Sequence, residues 1–314
     1  MIEVEGLTKY YDDRLAIADV TFSVPRGQVL GFLGPNGAGK STTMRILTGY
    51  LSASAGTATI AGYDVFDNAV DARRHIGYLP ETTPLYGEMR VSDYLALMCR
   101  LRGVHARRRR DRIDYAIEAT GLQARRQDII GRLSKGLRQR VGIAQALVHD
   151  PDVLILDEPT SGLDPAQTRE TRALIADLGR RHTVVLSSHI LSEVSATCER
   201  VVIISAGRLV ADDAPADLGR RLSSGRPVEV ELIAVGDRDQ ILKAVENVMG
   251  VQSVTVNPTA DGAWQVLVTS RRADLQDALA KAIVKAGHGL RQLGSRELSL
   301  EDVFIELTTE EPGG

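Results

Sequence analysis

The chain has 314 residues, 43% hydrophobic and 25% charged, an ordinary globular profile with room for two domains. Its formal net charge of −3 excludes bulk electrostatic attraction to nucleic acid. Cys99 and Cys198 lie far apart and adjacent to no histidine, which suits a reduced compartment and excludes a disulfide or zinc framework.

In chain order, Ile2 to Leu7 and Ala18 to Val24 read as strands on either side of a turn at Asp12-Asp13. Met1 to Tyr11 is already strand-like and charged, so no signal peptide is expected, and no apolar run approaches the ~20 residues of a membrane helix. Thr8-Lys9-Tyr10-Tyr11 lies between the two strands, and the flat ring of Tyr11 is suited to stack on a purine. Gln28 to Leu33 is a buried strand, and Thr42 to Thr48 starts a helix that Gly49 stops.

Between strand and helix stands Gly34-Pro35-Asn36-Gly37-Ala38-Gly39-Lys40-Ser41, a G-x-x-x-x-G-K-[ST] phosphate loop followed by Thr42. Its glycines let successive N–H groups turn inward on a phosphate chain at the positive end of a helix. Lys40 is placed to reach the β- and γ-phosphates and the Ser41 hydroxyl to ligate Mg²⁺.

Strand signals recur at Thr57 to Ile60 and His75 to Leu79, the second ended by Pro80-Glu81. From Ser92 to His149 the periodicity is helical, with one face expected at Leu95, Met98 and Leu101 and another at Ile113, Ala116, Ile117 and Thr120. The run Arg107 to Arg110 reads as a solvated face next to Asp111 and Asp114. Leu133-Ser134-Lys135-Gly136-Leu137 opens a further helix, a second place where backbone donors can meet phosphate. Val153 to Leu156 is a continuous apolar run of the kind found in a central parallel strand, and it ends in Asp157-Glu158. Ligands of open α/β sheets sit at that end, so Asp157 is expected to hold Mg²⁺ and Glu158 to orient or deprotonate the attacking water. Ser161 to Pro165 is a turn, and the strand Thr183 to Leu186 closes on Ser187-Ser188-His189 at the same sheet edge.

Taken together, the phosphate loop, the Pro-Glu loop, LSKGL, ILDEP, SGLDP and His189 resemble an ABC-type ATPase from about residue 1 to 213. The resemblance implies a P-loop NTPase fold of α/β class with a helical subdomain at about 86–150. It implies that Tyr11 stacks on adenine, that Ser134, Lys135 and Gly136 form a signature facing a nucleotide held by a second subunit, and that Asp164 lies on an inter-subunit loop. Glu158 becomes the general base, Asp157 the magnesium aspartate and His189 the switch histidine. The implied assembly is a head-to-tail homodimer or heterodimer around two ATP molecules, docked on a membrane permease from the cytoplasmic side, with no nucleic acid expected. Two positions depart from the pattern: LSKGL replaces LSGGQ, and Glu81 stands where a Mg²⁺-binding glutamine is usual. The alternative is a soluble, non-transport ATPase of this group acting on nucleic acid, ribosomes or a protein assembly. The single ATPase domain and the absence of a long coiled-coil insertion disfavour it.

A connecting helix and linker are expected at 214–226 and a second domain at 227–308. There, period-two and period-3.6 segments follow the order β-α-β-β-α-β of a small α+β ferredoxin-like domain, closed by a helix from Ser299 to Leu307. No residues in it converge on a catalytic site, so regulation or dimer contact is its expected role. The ending Leu298 to Phe304 resembles the tails of ATPase subunits from ABC-2-type exporters.

Overall fold

The computed structural model describes residues 1–218, 228–270, 272 and 274–296. The chain divides into two compact units, with the boundary between Pro215 and Ala216. Of the expected connecting helix and linker at 214–226, residues 219–226 lie outside the described residues, as do the closing helix at 299–307 and the exporter-like ending at 298–304.

Two sheets build the first unit. The larger consists of β3 (Val29–Leu33), β6 (Ile76–Leu79), β7 (Val153–Asp157), β8 (Thr183–Ser188), β9 (Arg200–Ser205) and β10 (Arg208–Asp213), in the order β10-β9-β3-β8-β7-β6. All pairings are parallel except β9 with the edge strand β10. Strands β3 and β7 are buried at every residue, as parallel strands covered on both faces must be. The smaller, antiparallel sheet combines β1 (Ile2–Tyr11), β2 (Arg14–Val24), β4 (Ala55–Ile60) and β5 (Tyr63–Asp64), in the order β2-β1-β4-β5. Helix α1 (Lys40–Leu47) puts Met44, Ile46 and Leu47 into one core with Val4 and Ile60 of the small sheet and Phe32 and Ile155 of the large one. Phe22 meets Phe32 across this core at 5.6 Å between ring centroids. The small sheet corrects the reading of Thr8–Tyr11 as a connection: β1 runs through these residues, and Tyr11 pairs with Arg14 across the turn. A short helix, α2 (Ala69–Arg74), precedes β6 and has no counterpart in the periodicity.

The helical segment contains α3 (Val91–Leu101), α4 (Arg109–Ala119) and α5 (Lys135–Leu147), with one 3₁₀ turn between the first two and two between the last two. The inner face of α3 is Val91, Tyr94, Leu95 and Cys99; Leu101 is 67% exposed. Each i+3 step falls 60° short of a full turn, so two such steps from Leu95 carry Leu101 off the buried stripe. On α4 the expected face is buried at Ile113, Ala116, Ile117 and Thr120. The arginine run is solvated, but Arg108 is directed to Asp150 at 3.8 Å, while Asp114 pairs with Arg126 at 2.5 Å.

His149, just past α5, binds the helical segment to β6. Its Nε2 lies 2.9 Å from the Ile76 carbonyl, which only accepts, so the proton sits on Nε2 and the buried Nδ1 has no partner. Burial, reinforced by Arg102, pushes its pKa down to about 4. Between that value and ~6.5 the unfolded chain binds the extra proton, so stability rises with pH and is lost as pH falls through this window. The loss reaches about 3 kcal/mol at most. Urea unfolding at pH 7 and pH 5 should show a flatter pH dependence for His149→Gln than for the unmodified chain; identical slopes would remove the effect.

Helices α6 (Pro165–Gly179) and α7 (Leu191–Ser195) complete the first unit. The second unit holds β11 (Val228–Val235), α8 (Arg238–Glu246), β12 (Val251–Pro258), β13 (Trp264–Ser270), α9 (Gln276–Lys285) and β14 (Gly289–Arg296). Its sheet order, β12-β13-β11-β14, is antiparallel throughout, the ferredoxin-like arrangement. Val230, Leu232, Ile241, Val245, Val266, Val268, Leu279 and Ile283 form its own core. Among the described residues no helix is long and apolar enough to cross a membrane.

Candidate functional site

The phosphate loop connects β3 to α1 at the carboxyl edge of the large sheet. Gly39 caps α1 at φ 110°, a conformation open to glycine, and a Cβ there would stand 2.5 Å from Ile17 Cγ2 and 3.0 Å from the Ala16 carbonyl. That close approach draws β2 against the loop. Lys40 is buried, and its ammonium donates to the carbonyls of Gly34 at 2.7 Å and Pro35 at 3.2 Å. Burial lowers its pKa, opposed by the neighbouring Glu158 and Asp157 carboxylates. Those carbonyl bonds curl the lysine back over the loop.

Strands β7 and β8 deliver the acidic side. Their register places Asp157 opposite Ser187. Ser41 Oγ donates to Asp157 Oδ1 at 3.4 Å, and Ser187 Oγ donates to the same oxygen at 2.5 Å. Glu158 follows at φ 49°, an unusual conformation for a side-chain-bearing residue. Its buried carboxylate lies 3.7 Å from Lys40 Nζ and 2.9 Å from His189 Nδ1. Thr160 Oγ1 donates to Glu193 of α7 at 2.5 Å.

A cavity of about 620 Å³ opens over this edge. Tyr11, Arg14, Leu15 and Ala16 of the small sheet form one wall, the loop from Asn36 to Thr42 the floor, and Glu81, Glu158 and His189 the far side. Tyr11 is 42% exposed and Glu81 is exposed. The volume suits a nucleotide-sized ligand. Charged phosphates would meet inward N–H groups and Lys40, with a carboxylate and an imidazole beyond them. The Ser41 hydroxyl and Asp157 carboxylate are hard oxygen donors of the type a Mg²⁺-phosphate complex uses.

Ser134, Lys135, Gly136 and Asp164 do not line this cavity. Ser134 caps α5 by accepting the Leu137 N–H, and Asp164 caps α6 by accepting those of Ala166 and Gln167. The two helix N-termini lie side by side: a Cβ on Gly136 would come 2.6 Å from Gln167 Oε1, and Lys135 Nζ lies against Gly162. They form a surface separate from the cavity, with the exposed side chains of Lys135 and Asp164 on it. The sequence reading missed Ser187, Glu193 and the wall residues Leu15 and Ala16, because a serine in an apolar strand and apolar residues in a hairpin carry no motif.

Residues 17–161 match the family model described as ABC transporter. Three curated relatives span nearly the whole chain. The bacitracin transport ATP-binding protein of Bacillus licheniformis is 33% identical over 309 residues, covering 98% of this chain and 97% of its own. The linearmycin resistance ATP-binding protein of Bacillus subtilis is 31% identical, covering 98% of both. The Nod factor export ATP-binding protein I of Ralstonia nicotianae is 33% identical, covering 99% of this chain and 94% of its own. Among solved structures, an ATP-binding subunit of an ABC transporter superposes with a TM-score of 0.65 at 31% identity, covering 71% of this chain and 93% of that one. Phosphate loop, acidic strand end and full-length kinship agree: the chain belongs to the ABC transporter family as an ATP-binding, ATP-hydrolysing subunit.

Proposed function

We propose that this chain powers export through a separate membrane permease, working in the cytoplasm as one of two ATPase subunits packed head to tail. The observation that carries the reading is the Glu158 carboxylate held between Lys40 and His189 at the mouth of the phosphate loop. Supporting the export direction are the full-length relatives named for bacitracin transport, linearmycin resistance and Nod factor export. Tyr11 stacks on the base, and Gly34 to Thr42 hold the phosphates. Glu158 takes the proton of the attacking water and His189 orients that carboxylate. Mg²⁺, when bound with ATP, neutralises phosphate charge; Ser41, Asp157 and Glu81 are the residues that would hold it. The surface of Ser134, Lys135 and Gly136, with Asp164 beside it, faces the partner's nucleotide: these residues match the family's signature and inter-subunit loop and do not line the cavity of their own chain. ATP turnover should be stimulated by membranes carrying the cognate permease and not by DNA, RNA or ribosomes. Stimulation by nucleic acid or ribosomes alone would favour the non-transport alternative.

Glu81 sets a magnesium dependence. An exposed carboxylate lining the phosphate cavity repels the γ-phosphate unless a cation lies between them. Nucleotide without Mg²⁺ should therefore bind poorly relative to Mg-ATP. Glu81→Gln should relax that difference and leave turnover within about tenfold of the unmodified chain, ~1.4 kcal/mol at most. Affinity and turnover across a magnesium titration decide it, and superimposable curves would exclude Glu81 from the metal.

A further inference from the structure

We propose that Ser187 is a positioning residue for hydrolysis, setting the backbone from which Glu158 projects. The inference rests on the reading of Glu158 as general base and extends it to a residue that never touches the nucleotide.

The β7–β8 ladder ends at the pair Asp157 and Ser187. Beyond it the Glu158 N–H has no strand carbonyl to meet, and the chain turns there through φ 49°. The Ser187 hydroxyl accepts this N–H at 2.9 Å and gives its single proton to Asp157 Oδ1 at 2.5 Å. A hydroxyl has one proton, so the two bonds fix its orientation. One oxygen atom thereby joins the carboxylate beside Ser41 to the backbone of the carboxylate beside His189. Ser187 is fully buried, so water has no ready access to replace it. A side chain that served only to fill the space between two buried parallel strands would be apolar, like Val184 and Val185 on the same strand. Placing a hydroxyl there instead holds an otherwise unfavourable turn in the conformation that aims Glu158 into the cavity.

Removing the hydroxyl should free that turn without disturbing the phosphate loop. Ser187→Ala should lower kcat by about tenfold or more while ATP affinity, measured by titration with a fluorescent nucleotide, changes less than about twofold, the signature of a lost transition-state contribution. Ser187→Thr, which keeps the hydroxyl, should recover most of the rate. In a Glu158→Gln background the same Ser187→Ala change should alter residual turnover less than about twofold, because its effect acts through the carboxylate already removed. If Ser187→Ala does not fold, Ser187→Cys carries the comparison with a thiol of weak donor and acceptor strength. An equal fall in both backgrounds, or a rise in KM at unchanged kcat, would overturn the proposal. Should Glu158→Gln itself retain full turnover, it is the base assignment that fails; additivity with a slowed Glu158→Gln removes only the role of Ser187.

Discussion

Glu158→Gln is expected to retain ATP binding and to slow hydrolysis by a hundredfold or more. The carboxylate is buried beside Lys40 and His189, and it is the basic group that follows directly on the Asp157 strand end. Glutamine keeps the side-chain length and one acceptor oxygen for His189, so the geometry survives while the proton acceptor is lost. Binding should persist because the Lys40 ammonium and the loop N–H groups are untouched. The slowed variant should also accumulate as a nucleotide-bound dimer, visible by gel filtration with ATP. Turnover near the unmodified rate would remove Glu158 from the chemistry.

Gly39→Ala should have the second large effect, on binding rather than on turnover. The residue sits at φ 110°, and an added Cβ would press on Ile17 Cγ2 at 2.5 Å and the Ala16 carbonyl at 3.0 Å. Backbone strain of this kind costs about 1–3 kcal/mol. If the loop relieves it by leaving its phosphate-binding shape, ATP affinity falls by about tenfold to a hundredfold. Gly37→Ala is the control: at φ 81° it is also strained, but nothing lies within 4 Å of its added Cβ. ATP titration of both variants should rank Gly39→Ala well below Gly37→Ala. Equal affinities would mean that packing against β2 does not shape the loop.

Local patterns made the phosphate-binding edge legible before any coordinates. A buried apolar strand, a glycine loop and a helix start are contiguous at residues 28–48, and β3 and α1 stand there; the helix begins at Lys40, two residues before the expected Thr42, so Lys40 and Ser41 form its first turn. Asp157, Glu158 and His189 were legible because charged or imidazole side chains follow the apolar runs at 153–156 and 184–186, the second through two serines. What stayed hidden depends on contacts between distant segments. The split of the strands into two sheets is not written in β1 or β2, whose alternation would serve either sheet. The buried face of α3 departs from the Leu95, Met98, Leu101 spacing because successive three-residue steps drift around the helix. Ser187 resembled its strand neighbours until the register set it opposite Asp157. In the second unit, alternation in β11 and helical faces in α8 and α9 sufficed to anticipate the antiparallel four-stranded sheet.

The wall that the small sheet lends to the cavity bears on the choice of fuel. Tyr11, Arg14, Leu15 and Ala16 offer a flat ring, a guanidinium and two aliphatic surfaces. None of these side chains is a carboxamide able to pair both N6 and N7 of adenine, the Arg14 guanidinium suits the O6 and N7 acceptors of guanine, and stacking on an aromatic face accepts any base. Guanine nucleotides should then compete with adenine nucleotides at this wall, leaving the cell's abundance of ATP to decide which one drives the cycle.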